Sequence, residues 1–433
     1  MSVLSSPKQT RNSNKQHRRV DSQLASANRF GLQQRLTVLD RWYRAALVHR
    51  LNRIETGKLI LVDSTGSICL NQNESSSFVG EIHVLDPRFY RQAVLGGGVG
   101  AAEAFIRGFW ESPDLLQLMR VMARNRHVLT GLEDGFVRLV KPLQRIGHWA
   151  RRNTLQGSRQ NIADHYDLSN EFFATFLDST MSYSAGIFEH PKATLEDASI
   201  AKFKRLCQLL KLTADDHLLE IGTGWGGLAI CAAREYGCRV TTTTISQTQY
   251  EYVLRKVNES GLADRIRVLR QDYRELQGQY DKLVSVEMIE AVGHEFLNVF
   301  FTKCASLLRP GGRFALQAIT IPEEREKNYL RSVDFIQKYV FPGGSLPSTN
   351  SIKRAVAVST DLQLEAIDEF GAHYGETLAR WHRQFVANLN AYRVMGMSER
   401  FIRTWRYYFS YCEAGFREEM IELKQILFVR PKD

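Results

Sequence analysis

Residues 218–231 read LLEIGTGWGGLAIC, and this stretch decides the fold. A short apolar run ends at Glu220, and Gly222, Gly224 and Gly226 follow before an apolar segment that is compatible with a helix. Glycine permits a sharp turn and lets a ligand lie against the backbone, where a side chain would block it. The stretch therefore predicts the first strand and first helix of an open α/β domain, with a ligand at the turn between them.

The next predicted strand bears on the identity of that ligand. Residues 238–244, CRVTTTT, run into Ile245 and Ser246 without the acidic residue that usually binds the ribose in an NAD site. The turn and the residues after it resemble the S-adenosylmethionine (SAM) loop of class I methyltransferases. A glycine-rich turn is a weak signal by itself, so a nucleotide site stays open as the alternative at this point.

Strands and helices alternate along the rest of the chain. The predicted strands are residues 217–221, 238–244, 266–270, 281–286, 312–319, 363–368 and 421–430, and the predicted helices are residues 225–236, 246–258 and 295–308. This alternation predicts a mainly parallel, doubly wound sheet, that is, a Rossmann-like α/β fold. Residues 322–361 intervene before the last strands and are rich in apolar and aromatic side chains, so we expect a helical lid over the ligand crevice.

The bulk composition limits the class of protein. The chain has 433 residues, with 57 basic and 47 acidic side chains and a formal net charge of +10. That charge suits a nucleic-acid binder, a protein at an anionic membrane surface, or an ordinary basic enzyme. No apolar run is long enough for a transmembrane helix, and the polar start shows no secretory signal. The scattered cysteines suggest neither disulfides nor a metal site, which predicts a reducing cytoplasm.

Composition also divides the chain into four segments. Residues 1–30 are polar and basic and are expected to form a disordered tail. Residues 31–126 are expected to form a smaller α+β amino-terminal domain that binds lipid, in which the glycines at 96–98 and 100 form a loop that leads into a helix. Residues 127–160 alternate apolar and basic side chains, which suits either an anionic lipid surface or a linker helix packed on the body. Residues 161–433 form the predicted methyltransferase domain.

Several further motifs resemble one known family. They are HYDLSN at 165–170, MSYS at 181–184, the turn at 220–227, VEMIE at 286–290, KYVFP at 338–342, FGAHY at 370–374 and the stretch 407–416. Together they resemble the cyclopropane fatty acid synthase family. DPRFY at 86–90 and GFWE at 108–111 also resemble the amino-terminal domain of the phospholipid-acting bacterial enzymes, a domain that mycolic acid cyclopropane synthases lack. The resemblance therefore implies an unsaturated phospholipid as the substrate.

The resemblance implies a reaction and a set of cofactor contacts. Family members transfer the methyl group of SAM to a cis double bond, and a bound bicarbonate then removes a methyl proton from the carbocation so that a cyclopropane ring closes. The residues implied to contact SAM are Tyr166, Tyr183 and Ser184 at the methionine end, Glu220, Gly222, Gly224 and Gly226 in the turn, Thr244 and Gln249 at the ribose, and Gln271 and Asp272 at the adenine. Taken singly, Tyr166 could be a core aromatic residue, Thr244 an ordinary strand residue and Asp272 a cap.

The same resemblance implies catalytic residues. Glu290, Tyr374 and the backbone of Ile319 match bicarbonate ligands of the family. Two positions of this site depart from the commoner pattern, because Ala185 stands in place of a cysteine and Gln317 in place of a histidine. A backbone N–H contact survives the alanine, whereas glutamine can donate a hydrogen bond but cannot titrate as histidine does. We therefore expect a cyclopropane product, with a methyl-branched or methylene-bearing chain as the alternative.

Cys412 aligns with a cysteine that is often designated as the family's active-site residue. The reaction needs no protein nucleophile, so a small buried hydrophobic residue explains Cys412 equally well.

Two other functions would suit the fold. A nucleic-acid methyltransferase usually has a motif of the Asn-Pro-Pro-Tyr kind after the fourth strand, whereas residues 287–290 read EMIE. A binding protein without catalysis would not need Glu290 and Tyr374. We therefore expect no nucleic-acid partner, a peripheral position at the inner face of the cytoplasmic membrane, and a homodimer formed through the first domain.

Overall fold

The computed structural model describes residues 35–71, 78–128 and 169–432. The chain divides into two compact units, one of Met1–Leu143 with His382–Glu418 and the other of Gln144–Trp381 with Glu419–Asp433. The tail predicted at 1–30, and the connector predicted at 127–160 from residue 129 onward, lie outside the described residues.

A small mixed sheet forms the centre of the first unit. Its strands are β1 (Lys58–Asp63), β2 (Gly66–Leu70), β3 (Val79–Val84) and β4 (Trp110–Glu111), in the order β2-β1-β3-β4. β1 runs parallel to β3, and the other two pairs are antiparallel. Alternate residues of β1 and β3 are buried, and the sheet packs on helix Leu115–Arg124. The helices Val38–Leu51 and Arg88–Ile106 pack on each other in the same unit.

The glycine cluster of the first unit lies inside a helix. Helix Arg88–Ile106 contains all four glycines and is kinked at Gly97, whose φ of 56° and ψ of −140° are not helical. A Cβ at Gly100 would lie 2.1 Å from the carbonyl oxygen of Gln92, so no larger residue fits there. The prediction of a loop that leads into a helix was wrong, because a kinked helix can require glycine as much as a loop does.

The segment 382–418 packs with the first unit, although the sequence-based division placed it in the methyltransferase domain. It contains the helices Leu389–Val394 and Glu399–Arg417, and the second of these packs on helix Leu115–Arg124. Contacts between parts of the chain so far apart in sequence leave no local pattern from which they could be predicted.

A partly buried arginine fixes helix Glu399–Arg417 in the first unit. The Arg403 guanidinium donates hydrogen bonds to the carbonyl oxygens of Phe105 and Trp110 and to the carboxylate of Glu111. The aromatic rings of Phe105 and Tyr407 also lie 5.5 Å apart. The helix is therefore joined to the unit by partly buried polar contacts as well as by apolar packing.

The second unit is built on a seven-stranded sheet. Its strands are β5 (His217–Ile221), β6 (Arg239–Thr244), β7 (Ile266–Arg270), β8 (Tyr280–Val286), β9 (Leu308–Thr320), β10 (Gln363–Glu369) and β11 (Glu422–Val429). They lie in the order β10-β11-β9-β8-β5-β6-β7. Strands β5 to β9 pair in parallel, and β11 pairs antiparallel with both of its neighbours, β9 and β10. The predicted mainly parallel α/β sheet is confirmed.

Helices cover both faces of this sheet. Consecutive strand residues point to opposite faces, and Leu218 and Val284 belong to one buried apolar cluster whereas Leu219 and Leu283 belong to another. The first cluster includes side chains of the helices Leu195–Leu209, Gly227–Tyr236 and Gln247–Glu259, and the second includes side chains of Leu297–Leu307 and Thr349–Ser359. The strand order reverses between β5 and β8, and ligands of such sheets bind outside the carboxyl ends of the strands at this point.

The segment predicted as a lid, residues 322–361, forms three helices. These are Glu323–Tyr329, Phe335–Tyr339 and Thr349–Ser359. The last of them is buried against the sheet through Ile352 and Val356, so only the part before it is available to cover a crevice.

Candidate functional site

The glycine-rich turn after β5 is held against the neighbouring strand. Gly222, Gly224 and Gly226 have φ values of 97°, 54° and 87°, in the region that favours glycine. The N–H groups of Gly222 and Thr223 donate to the carbonyl oxygen of Thr243 at 3.1 and 2.9 Å. The turn thus presents fixed backbone without side chains at the carboxyl end of β5, as the sequence predicts.

Replacing Gly222 by alanine is expected to weaken SAM binding at least about tenfold. A side chain in the left-handed region costs about 1–2 kcal/mol. The free turn relieves this cost by leaving the conformation that binds SAM, and restoring that conformation at about 1.4 kcal/mol lowers the affinity tenfold. The new Cβ would also lie 3.2 Å from the Met288 side chain, which would have to shift. Isothermal titration calorimetry with SAM measures the loss. The matched control is Gly261→Ala, because Gly261 has a φ of 65° but no neighbour within 4 Å; an equal loss in the control would contradict the prediction.

The residues predicted at the ribose lie together at the carboxyl end of β6. The hydroxyl of Thr244 donates to the side-chain oxygen of Gln249 at 2.8 Å, and both side chains are buried. The carbonyl oxygen of Gln271, after β7, accepts a hydrogen bond from the Thr243 hydroxyl at 2.5 Å. These contacts give the crevice a polar edge beside the glycine-rich turn.

Asp272, predicted at the adenine, has structural partners of its own. The Arg274 guanidinium donates to its two carboxylate oxygens at 2.8 and 2.7 Å. The Asp272 side chain also caps the 3₁₀ helix Tyr273–Glu275. The capping role that the sequence suggests as the alternative is therefore present, and contact with the adenine stays a prediction.

Aromatic side chains form a wall beside the predicted methionine end of the site. The Tyr183 ring lies 5.3 Å from the rings of both Phe173 and Trp381, and Trp381 lies 6.2 Å from Tyr374. Trp381 and Tyr374 are buried. Tyr166, the other aromatic residue predicted to contact SAM, lies outside the described residues.

Lys202 is a buried cation that the sequence analysis missed. It is fully buried on helix Leu195–Leu209, and its ammonium group donates to the hydroxyls of Ser182 and Ser184 at 2.5 Å each. Burial lowers the pKa of Lys202 to about 8, although the negative charges of Glu287, Asp178 and Glu220 act in the opposite direction. Lys202 therefore fixes Ser184, a predicted SAM contact, and places a positive charge among carboxylates.

Glu220 is a buried carboxyl group at the carboxyl end of β5. It accepts a hydrogen bond from the Thr242 hydroxyl at 2.5 Å. Burial raises the pKa of Glu220 to about 8, opposed by the Thr242 hydrogen bond and the charge of Lys202. Glu220 is therefore held inside the sheet by Thr242, where burial favours its protonated form.

Glu220→Gln is expected to change how stability depends on pH. Because the pKa of Glu220 is raised from its ordinary value of 4.5 in the unfolded chain to about 8 in the folded chain, the folded state binds more protons between these two pH values. This group therefore lowers the free energy of unfolding as pH rises through that window, by at most about 1.4 kcal/mol per pH unit. Glutamine does not titrate, so the variant should gain stability relative to the wild type from pH 5 to pH 8. Urea denaturation at each pH measures the difference, and a constant difference would contradict the prediction.

A second carboxylate that the sequence analysis did not single out lies just after β8. Oε1 of Glu287 accepts hydrogen bonds from the backbone N–H of Ala185 at 3.0 Å and from Nε2 of Gln317 at 2.8 Å. Its Oε2 accepts a hydrogen bond from the Tyr374 hydroxyl at 2.6 Å. Burial raises the pKa of Glu287, while these three donors and Lys202 favour the charged form. Three of the predicted catalytic residues, Ala185, Gln317 and Tyr374, thus donate to the carboxylate of Glu287.

A chain of side-chain amides fixes the donor end of Gln317. Nε of Arg205 donates to the side-chain oxygen of Gln425 at 3.0 Å, and Nε2 of Gln425 donates to the side-chain oxygen of Gln317 at 2.8 Å. A guanidinium group can only donate and an ionised carboxylate can only accept. With an arginine at one end and Glu287 at the other, both amides have a single consistent orientation.

Glu290, three residues after Glu287, has one carboxylate oxygen with a hydrogen-bond donor and one without a donor among the described residues. Its Oε1 accepts a hydrogen bond from the backbone N–H of Ile319 at 2.5 Å. Its Oε2 is buried and has no hydrogen-bond partner among the described residues. Burial, followed by the negative charge of Glu287, raises the pKa of Glu290 to about 8. The carbonyl oxygen of Glu290 also accepts a hydrogen bond from the N–H of Ser345 at 2.8 Å, so the predicted lid segment touches this residue.

Cys412, the remaining predicted catalytic residue, lies on helix Glu399–Arg417 of the first unit, where it is partly buried. The residues that meet at Glu287 and Glu290 all belong to the second unit. A catalytic role for Cys412 stays a prediction.

The strand order of the second unit and the glycine-rich turn after β5 define a class I SAM-dependent methyltransferase. A solved structure of that class, the mycolic acid cyclopropane synthase CmaA1 complexed with SAH and CTAB, matches 63% of this chain and 98% of its own length, with a TM-score of 0.59 and 30% identity.

Sequence comparison narrows the class to a family. The model of the family described as mycolic acid cyclopropane synthetase matches residues 153–426, more than half of the chain, and the chain belongs to that family. The tuberculostearic acid methyltransferase UfaA1 of Mycobacterium tuberculosis is 35% identical over 397 residues, which cover 89% of this chain and 91% of that protein. The cyclopropane-fatty-acyl-phospholipid synthase of Escherichia coli K12 is 33% identical over 394 residues, covering 90% and 94%.

Proposed function

We propose that this enzyme adds one carbon from SAM to the cis double bond of an unsaturated phospholipid acyl chain and forms a cyclopropane fatty acid. The observation that carries the proposal is the pair of carboxyl groups of Glu287 and Glu290 after β8. An alkene that takes up the methyl group of SAM becomes a carbocation. This cation needs negative charge and a proton acceptor nearby. The similarity to the synthase of Escherichia coli over 90% of this chain supports a phospholipid substrate.

The residues of the second unit fit SAM. The turn at Gly222 and Gly224 has no side chains that would keep the cofactor from the backbone, and buried Thr244 offers a hydroxyl beside it. Lys202 places a positive charge beside Ser184, which suits the carboxylate of a methionine group. When bound, SAM supplies a methyl group whose bond to sulfur breaks with its electron pair as the π pair of the alkene forms the new carbon–carbon bond.

The chain's own residues then control the cation on the substrate. The aromatic wall of Phe173, Tyr183 and Trp381 keeps water from the reacting carbons. Oε2 of Glu290, which has no hydrogen-bond partner among the described residues, stabilises the developing positive charge. The new methyl group then loses a proton to a base held beside the cation.

A second candidate product is a methyl-branched or methylene-bearing chain. Two observations favour it: Ala185 and Gln317 replace the cysteine and histidine of the commoner pattern, and a relative at 35% identity is named a tuberculostearic acid methyltransferase. If the cation undergoes a hydride shift before the methyl proton is lost, the electron pair of that C–H bond forms an exomethylene double bond instead of a ring. Both products require the same residues for SAM binding and methyl transfer, and they differ only after the carbocation has formed.

The fatty-acid profile of a bacterium that makes no cyclopropane lipids tests the proposal when it expresses this chain. We expect a new fatty acid one CH₂ heavier than its mono-unsaturated parent. Resistance to mild hydrogenation would identify a ring, whereas a reducible product would identify the methylene chain. An unchanged profile, with purified protein that still binds SAM, would contradict the proposed substrate.

We also propose that the enzyme works at the inner face of the cytoplasmic membrane as a homodimer. The net charge of +10 favours binding to anionic lipid. The described parts of the chain contain no helix with the length and apolar character needed to span a bilayer. Co-sedimentation with anionic but not neutral vesicles, and a gel-filtration mass of twice 49.6 kDa, are the expected results.

A further inference from the structure

Groups that the family resemblance assigns to a bicarbonate site are paired with side chains of this chain. The Ala185 N–H, the Gln317 amide and the Tyr374 hydroxyl all donate to Glu287, at 3.0, 2.8 and 2.6 Å. The N–H of Ile319 donates to Glu290 at 2.5 Å. A bicarbonate ion would need these same donors, so it does not fit the arrangement.

The carboxylate of Glu287 retains room for a proton. A carboxylate offers about four lone-pair sites, two on each oxygen. From the residues that the structure describes, Oε1 accepts two hydrogen bonds and Oε2 accepts one, from Tyr374. One lone pair of Oε2 is therefore left to accept a proton.

The surroundings hold this carboxylate in place. The hydrogen bonds from Arg205 through Gln425 orient the amide of Gln317 so that its NH₂ group, not its oxygen, faces Glu287. Lys202 lies close enough for its charge to favour the ionised form of Glu287. The Glu287 backbone has a φ of 49°, which is unfavourable for any residue with a side chain, and such strain concentrates at functional sites.

We propose that Glu287 takes the place that bicarbonate has in related enzymes and that its Oε2 accepts the proton of the reaction. The inference rests on the proposed function. A C–H bond of the new methyl group breaks, and its electron pair closes the ring or, after a hydride shift, forms the exomethylene bond. The proton passes to Oε2 of Glu287 and later to solvent. The enzyme therefore needs no dissolved anion.

The first test compares methyl transfer to mono-unsaturated phospholipid vesicles in CO₂-free buffer with and without added bicarbonate. The wild-type rate should be equal in both, and Glu287→Gln should lose at least about 100-fold in rate, within the range for removal of a general base. Glu196→Gln is the matched control, because Glu196 is exposed on the same unit and outside the site. A wild-type rate that falls without bicarbonate and recovers on its addition would overturn the inference, as would a Glu287→Gln variant of wild-type rate.

The second test replaces the carboxylate from solution. In Glu287→Gly the backbone is relieved of its strain, and the three donors are left facing a space the size of a small carboxylate. Bicarbonate, formate or acetate should restore part of the lost rate in a saturable manner. Wild-type activity of this variant without any added anion would overturn the inference.

A third readout does not depend on turnover. Bicarbonate should raise the thermal unfolding midpoint of Glu287→Gly in a saturable way and leave that of the wild type unchanged, because a ligand stabilises only the folded state that binds it. If the wild type transfers no methyl group to lipid, the proposed function fails, and these midpoints still decide the inference. A midpoint raised by bicarbonate in the wild type, or unchanged in the variant, would overturn it.

Discussion

Glu290→Gln is expected to retain SAM binding and to transfer methyl groups about 10²–10³-fold more slowly, the range for removal of one preorganised electrostatic group. Glutamine keeps the oxygen that accepts from Ile319 but cannot bear a negative charge. The Oε2 of Glu290 is a buried oxygen without a partner among the described residues, and such an oxygen is costly unless a ligand group meets it. We therefore expect it to face the developing cation.

The protonation state of Glu290 provides an independent check. The pKa of Glu290 is raised to about 8 in the free chain, so the group is largely protonated at pH 7. The positive sulfur of SAM favours the charged form and should lower that pKa. Calorimetry in buffers of different ionisation enthalpy should show proton release on SAM binding by the wild type and less release by Glu290→Gln.

Two results would contradict this role of Glu290. One is a Glu290→Gln variant whose single-turnover rate lies within about fivefold of the wild type, since an electrostatic group of this kind is worth far more. The other is an equal loss of rate in the control Glu196→Gln, in which the same substitution removes a carboxylate at an exposed position.

Arg403→Met is expected to destabilise the first unit by about 3–5 kcal/mol, the usual effect of removing one partner of a buried ion pair. The variant removes the guanidinium that donates to the buried carboxylate of Glu111, and it takes one donor from each of the carbonyl oxygens of Phe105 and Trp110. Hydrogen exchange measured by peptide should show protection in the helices Leu115–Arg124 and Glu399–Arg417 falling by about 10²–10⁴-fold.

Arg400→Met is the matched control for this stability prediction, because Arg400 is exposed on the same helix. Its exchange pattern should match that of the wild type. Unchanged protection in Arg403→Met, or an equal loss in the control, would show that segment 382–418 is not held in the first unit by this arginine.

The fold of the second unit was predictable because its signals are local. The β5 strand, the glycines after it and the helix that follows lie within residues 218–231, and period and spacing suffice to identify them. The later strands repeat the same pattern. The placement of segment 382–418 was not predictable in this way, because it depends on contacts such as Arg403 with Glu111 across nearly 300 residues.

The candidate site was predictable in part. The resemblance drew attention to Ala185, Gln317 and Tyr374, and the structure brings all three to one point. It did not indicate Glu287, which lies inside the quoted motif VEMIE, because sequence spacing does not reveal which donors a side chain meets.

Lys202 could have been found from the sequence. It stands four residues after Ala198 and four before Leu206, on the buried stripe of its helix. A lysine in such a stripe is costly unless it is paired, and here the two serine hydroxyls and the nearby carboxylates stabilise it.

The most direct test of the account is to incubate the purified enzyme with SAM labelled with ¹³C in its methyl group and with vesicles of a phospholipid that has a single cis double bond. We expect ¹³C NMR of the extracted lipid to show the label on the acyl chain, as a ring or methylene carbon, in an amount equal to the SAH released. Label on the headgroup, or release of SAH without labelled lipid, would contradict it.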